Sequence, residues 1–173
     1  VGVNPMTAFP KLDDGSVDVV IAMVSSSMAS QYYYSTPYYS DPCLLVTLEH
    51  GPAFQLLNME LGVVQSNDIR KSPELLLLEA YTATHGDLGL KAKIYASYPD
   101  MLDALVRGEI WAVLLPETYV ELYGDTYPIA PSTFSFGTID YAICAPSDAS
   151  SLADIGTLVL DGLMADGRLT AMY

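Results

Sequence analysis

Three hydroxyl residues in a row, Ser25, Ser26 and Ser27, follow the apolar run VDVVIAMV and would stand at the carboxyl end of a buried strand. Hydroxyls placed there can donate to an oxygen-rich ligand, although a run of serines also makes a plain polar loop. Ser66 and Asn67 follow a second apolar stretch, LGVVQ, where a helix approaches. Their side chains and the nearby backbone N–H groups suit an anion, or form an ordinary turn with a helix cap. Glu117 opens a helix directly after the apolar stretch Ile110–Leu115. A carboxylate in that place either meets a cationic group or simply complements the helix dipole.

None of these residues forms a catalytic pattern. No GxSxG surrounds a serine, and neither His50 nor His85 sits in a nucleophile–base arrangement, which argues against a serine hydrolase. The carboxylate pairs Asp13/Asp14 and Asp100/Asp103 read as solvated helix faces and caps, not as an acid–base dyad. Cys43 and Cys144 belong to no CxxC and no Cys/His cluster, so no metal and no cofactor is expected. The two thiols either close one long-loop disulfide or serve as small buried hydrophobes.

The elements that must hold these residues alternate between strand and helix. Phe9–Asp14 reads as a short helix closed by Gly15, followed by Val17–Ala22 as a strand buried on both faces in a parallel sheet. Tyr32–Tyr39 is extended because Pro37 breaks any helix. Strands are expected at Leu44–Leu48, Leu61–Gln65, Lys91–Tyr95, Ile110–Leu115 and Phe134–Ala145. Helices are expected at Glu74–His85, capped by Ser72 with Pro73 at its first position, and at Tyr98–Arg107, Glu117–Tyr123 and Ser151–Ala165. Gly51–Met59 reads as a short helix or turn, and the tyrosines of the YYYSTPYY segment mostly as packing. Such alternation defines an α/β fold with mainly parallel sheets flanked by helices.

Composition excludes several partners. Of 173 residues, 51% are hydrophobic and 16% charged, which is a globular balance. Seven basic residues against 21 acidic ones give a net charge of −14, so no nucleic-acid partner is expected, because affinity there rests on Lys and Arg meeting phosphates. That acidity either serves solubility or steers cationic ligands. No apolar run approaches the roughly 20 residues of a bilayer span. The chain starts at Val1 without an initiator Met or a signal peptide, which reads as a processed, trimmed or partly unobserved N-terminus.

Four segments in register resemble the family 3 extracellular solute-binding proteins of amino-acid ABC transporters, which have the type II periplasmic binding protein fold. LDDGSVDVVIA (Leu12–Ala22) is similar to the family's "L..G..D" turn and strand, and STPYY (Ser35–Tyr39) to its "FS.PYY" element. IYASYPDMLDALVRGEIWAVLL (Ile94–Leu115) resembles its "AL..G.vDA" strand–helix–strand, and DGLMADGRLTAMY (Asp161–Tyr173) its closing helix pair.

The resemblance implies two α/β lobes joined by two hinge crossings: residues 1–46 and 138–173 in lobe 1, and 47–137 in lobe 2. It further implies that the first strand–helix units of lobe 1, with their ligand-stacking aromatic, are missing. Ser25, Ser26, Ser27, Ser66, Asn67 and Glu117 would then be the ligand contacts. The family's α-carboxylate clamp is an Arg after the first strand, a guanidinium forked onto a carboxylate, and the loop MVSSSMASQ has none. The position of the family's ammonium-binding Asp falls at Pro116, beside Glu117, and Trp111 replaces a usually acidic residue.

The expected function is therefore that of a periplasmic or extracellular solute-binding protein, with a cell-surface lipoprotein as one form. It would be a monomer that captures a small polar, amino-acid-like ligand by hinge closure and hands it to a membrane ABC permease. An alternative is a sensor or accessory module of the same fold, for example beside a quinoprotein dehydrogenase, whose cleft takes a periplasmic protein partner or another ligand. A dehydratase-like enzyme on this scaffold is the third reading, disfavoured because no acid–base pair is visible.

Overall fold

A computed structural model describes residues 5–24, 32–51, 55–65 and 71–169 of the chain. It divides into two compact units: unit 1 is Val1–Ser40 with Asp140–Tyr173, and unit 2 is Asp41–Ile139. Two strands run from one unit into the other, β3 (Tyr39–Leu48) and β7 (Ile129–Pro146). The boundaries fall between Ser40 and Asp41 on β3, and between Ile139 and Asp140 on β7.

Unit 1 is built on the end of β7. On one edge β7 pairs antiparallel with β1 (Val20–Val24), from Val20↔Cys144 to Val24↔Asp140. On the other it pairs antiparallel with β2 (Tyr32–Tyr34), from Tyr32↔Pro146 to Tyr34↔Cys144. Helix α1 (Pro5–Asp13) covers one face, burying Ala8, Phe9 and Leu12 against Val20, Tyr32 and Cys144. Phe9 meets Tyr32 at 5.0 Å between ring centres, and the Tyr32 hydroxyl donates to Asp13 Oδ1 at 2.6 Å. Gly15, at φ +73°, ends the helical stretch in the left-handed region where glycine is at ease. Ser35 extends the ladder beyond β2, its N–H donating to the Ile143 carbonyl at 2.9 Å and its hydroxyl accepting the Ile143 N–H at 3.0 Å.

Two expectations for β1 change. The strand begins at Val20, and it is antiparallel because its partner is the returning strand β7. It is also not covered on both faces. Ile21 lies directly opposite Ile143, and residues directly opposite share a face. Helix α5 (Ser150–Ala165) approaches that face, where Gly156 lets Ile143 come close. Ile21 nevertheless stays 66% exposed, and Ile155, Leu158 and Val159 on α5 itself are exposed as well.

Unit 2 carries the larger sheet, in the order β7–β3–β6–β4–β5. Strand β4 (Glu60–Val64) pairs parallel with both β5 (Lys91–Tyr95) and β6 (Ala112–Pro116), and β6 pairs antiparallel with β3. The α/β class holds, and β5, β4 and β6 pair in parallel. All of AVLLP in β6 is buried, as a central strand with both faces covered demands. Edge strand β5 carries Lys91 and Lys93, charges that blunt an open edge.

Helix α2 (Pro73–Thr84) packs on β4 and β6, and α3 (Tyr98–Val106) on β4, β5 and β6. Met101, Leu102 and Leu105 of α3 interlock with Val46, Val64, Val113 and Leu115. A β-carbon on Gly62 of β4 would stand 2.8 Å from Ile110 Cδ1, 2.9 Å from Val113 Cγ1 and 3.0 Å from Met101 Cγ. Only glycine allows α3 to sit this close to the sheet.

Cys43 and Cys144 are buried free thiols. Burial pushes the Cys144 thiol up to about 12, and Cys43 is raised by burial and by the nearby carboxylates of Glu74 and Asp41. The long-loop disulfide is thus not formed.

Two outcomes follow from this packing. Gly62→Ala should destabilise the fold by about 1–3 kcal/mol, as overpacked cores do, measured by urea unfolding. Neither thiol should react with a thiol-specific disulfide reagent at pH 8 until denaturant is added, because only the thiolate attacks.

Candidate functional site

In unit 2 the parallel strands deliver the chain to three helix starts. Strand β6 passes straight into α4 (Glu117–Gly124), and β5 reaches α3 after Ala96 and Ser97. The end of β4 is tied to the start of α2 by Gln65, whose Oε1 accepts the Ser72 N–H at 2.5 Å. Ser72 in turn caps α2, its hydroxyl accepting the Leu75 N–H at 3.3 Å with Pro73 next in line. Ser97 caps α3 by accepting the Asp100 N–H at 3.3 Å and donating to Asp100 Oδ2 at 2.7 Å. The cap of α4 comes from elsewhere. Its N-cap residue is Pro116, with no side-chain hydrogen bond, and Asp41 on β3 does the work instead. Asp41 Oδ2 accepts the Thr118 hydroxyl at 2.5 Å, and Oδ1 accepts the Thr118 N–H at 3.3 Å.

Two carboxylates are buried at this end of the unit, Asp41 at 0% exposure and Glu74 at 1%. Among the described residues neither has an ion-pair partner. Glu74 accepts the hydroxyl of Tyr98, and also takes hydrogen bonds from its own N–H and from Ser72. Burial raises the Glu74 carboxyl above its ordinary value, the nearby Asp41 charge adds to the rise, and these hydrogen bonds oppose it. Tyr98 stacks on Tyr119 with ring centres 4.2 Å apart, and Tyr119 is followed by Tyr123 at 6.2 Å. The Tyr119 hydroxyl is raised by burial first and then by the charge of Glu74. Three helix N-termini are thus linked side by side: α2 to α3 through Glu74 and Tyr98, and α3 to α4 through Tyr98 and Tyr119.

Glu117 stands here as the first residue of α4, exposed, beside the exposed Thr118. Ser25, Ser26, Ser27, Ser66 and Asn67 lie outside the described residues. Asp41, Glu74, Tyr98, Thr118 and Tyr119 are additions that sequence reasoning missed. Asp41 precedes Pro42 in a stretch rich in turn formers, and Glu74 follows a Ser-Pro cap, so both read as ordinary surface acids. Only strand pairing, with Cys43 opposite Pro116, places Asp41 over the first turn of α4. Among the described residues no group of His, Cys, Asp and Glu is arranged to hold a metal ion, and no helix is long and apolar enough to cross a membrane. Trp111 is 58% exposed and lies outside the core.

Helix N-termini that converge at the carboxyl ends of parallel strands define a binding face in α/β proteins. The fold is that of the two-lobed periplasmic binding proteins, with its two crossing strands. An ancestral arginine-binding protein bound to arginine matches with a TM-score of 0.76 and 20% identity, over 100% of this chain and 77% of that one. A mutant of ArgBP from T. maritima matches with a TM-score of 0.76 and 17% identity, over 99% and 73%. A probable amino-acid ABC transporter extracellular-binding protein from Bacillus subtilis matches with a TM-score of 0.77 and 14% identity, over 98% and 75%. No family model matches the chain.

The raised Glu74 carboxyl sets a pH dependence. Below the ordinary value of 4.5 the folded and unfolded states both hold the proton. As pH rises past it, the unfolded state gives up its proton first, so stability is lost until the folded carboxyl also ionises. Glu74→Gln should remove this loss. The melting temperature of the variant, relative to the parent, should therefore rise between pH 4.5 and pH 7, as read by circular dichroism at matched ionic strength.

Proposed function

We propose that this chain is an extracytoplasmic solute-binding protein that captures a small polar, amino-acid-like ligand and presents it, as a monomer, to a membrane ABC permease. The observation that carries the reading is the meeting of three helix N-termini with Glu117 and Thr118 at the carboxyl ends of β4, β5 and β6. Amide dipoles favour the carboxylate of such a ligand, and Glu117 favours its ammonium group. Ser25, Ser26, Ser27, Ser66 and Asn67 supply further hydroxyl and amide contacts in this reading. The fold match to proteins described as bound to arginine and to glutamine supports an amino-acid ligand. The protein acts by binding rather than by catalysis, with no cofactor.

Thermal unfolding against a panel of amino acids, amines, small acids and sugars tests this. A ligand present at 100 times its Kd adds about 2.7 kcal/mol of stability, a clear rise in Tm. Glu117→Gln should weaken binding of the responding compound by about tenfold, the scale of a charge-assisted hydrogen bond. It should leave the unliganded Tm in place, because Glu117 is exposed. A well-folded chain that responds to no compound would overturn the transport reading in favour of a protein-binding accessory module.

A further inference from the structure

We infer that Asp41 is the positioning residue of the candidate site, fixing the start of α4, and with it Glu117, from the crossing strand β3; the inference rests on the binding role proposed above. Helix α4 begins on a proline with no side-chain cap, so its first turn lacks a local anchor. Asp41 supplies that anchor from another element, meeting the N–H and the hydroxyl of Thr118 with its two oxygens. Two bonds from one carboxylate fix rotation as well as distance, and Thr118 is the immediate neighbour of Glu117.

The location of Asp41 adds the second half of the argument. It is the first residue of unit 2, and Ser40 is the last residue of the first segment of unit 1. Within unit 1 the Ser40 hydroxyl donates to Asp140 Oδ1 at 2.6 Å. Consecutive residues on β3 are thus held by different units, one by Asp140 and the next by the first turn of α4. Asp41 is fully buried, and its charge also bears on Glu74.

The test measures Kd for L-arginine and L-glutamine by calorimetry on the full chain and on five variants. Thr118→Val and Asp41→Asn should each weaken binding by about tenfold, the scale expected for a charge-assisted hydrogen bond. Thr118→Ser, which keeps the hydroxyl, should bind within about twofold of the parent. In a Glu117→Gln background the added Asp41→Asn change should cost nothing more, since it acts through Glu117; this double variant and Glu117→Gln complete the set. Amide exchange in β4, β5 and β6 reports whether unit 2 stays folded. If Asp41→Asn unfolds it, the Thr118 pair decides, and equal Kd values for Thr118→Val and Thr118→Ser overturn the inference. Undiminished binding by a folded Asp41→Asn, or full additivity with Glu117→Gln, also overturns it. A parent chain that binds neither amino acid, nor any other compound of the panel, overturns the binding role itself, and the positioning role falls with it.

Discussion

A carboxylate taken out of water must be met by donors, because an ionised group left unpaired in the interior costs several kcal/mol. Unit 2 buries two, Asp41 and Glu74, with no cation paired to either among the described residues. Their donors come from the first turns of helices and from tyrosine and threonine hydroxyls. That requirement decides where α2, α3 and α4 begin relative to the sheet. Glu74 needs Tyr98, so α2 and α3 start side by side. Asp41 needs Thr118, so α4 starts over β3. The arrangement of the three helix starts follows from satisfying these two groups, and the exposed Glu117 stands at one of them.

The remainder of unit 2 supports this end without taking part in it. The buried AVLLP strand and the close seat of α3 over Gly62 make a rigid floor. The tyrosine stack runs from Tyr98 through Tyr119 to Tyr123, and Tyr98 sets its hydroxyl on Glu74. Aromatic rings occupy large area at low conformational cost, while their hydroxyls still serve as donors.

Much of the fold could be read from local chemistry. Ser72-Pro73 announced α2, Pro99 with Gly108 bracketed α3, and the strand at Lys91–Tyr95 stands where its pattern put it. The errors at β1 and β7 share one cause, which is pairing. Val17–Ala22 has the composition of a strand covered on both sides, but composition does not say that β7 would return antiparallel beside it or that Ile21 would remain exposed. The extent of β7, from Ile129 rather than Phe134, is likewise set by its neighbour β3, not by its own alternation. The position of Glu117 at the start of α4 was legible because a helix start after a buried strand is a local signal. Asp41 and Glu74 were not, since a buried acid and a surface acid look alike until strands in register bring distant residues together.

The uncovered side of unit 1 has a practical meaning. Ile21, Ile155, Leu158 and Val159 present apolar side chains to water on a molecule carrying a net charge of −14. In dilute buffer that like charge opposes association of copies. The screening length, however, shrinks from about 10 Å at 0.1 M salt to about 3 Å at 1 M, and sulfate strengthens apolar association as well. The protein should then be held by a phenyl matrix in concentrated ammonium sulfate and released as the salt is withdrawn, with α5 and the edge of β1 as the contact face. Chromatographic retention would thus report directly on whether anything else has come to cover that surface.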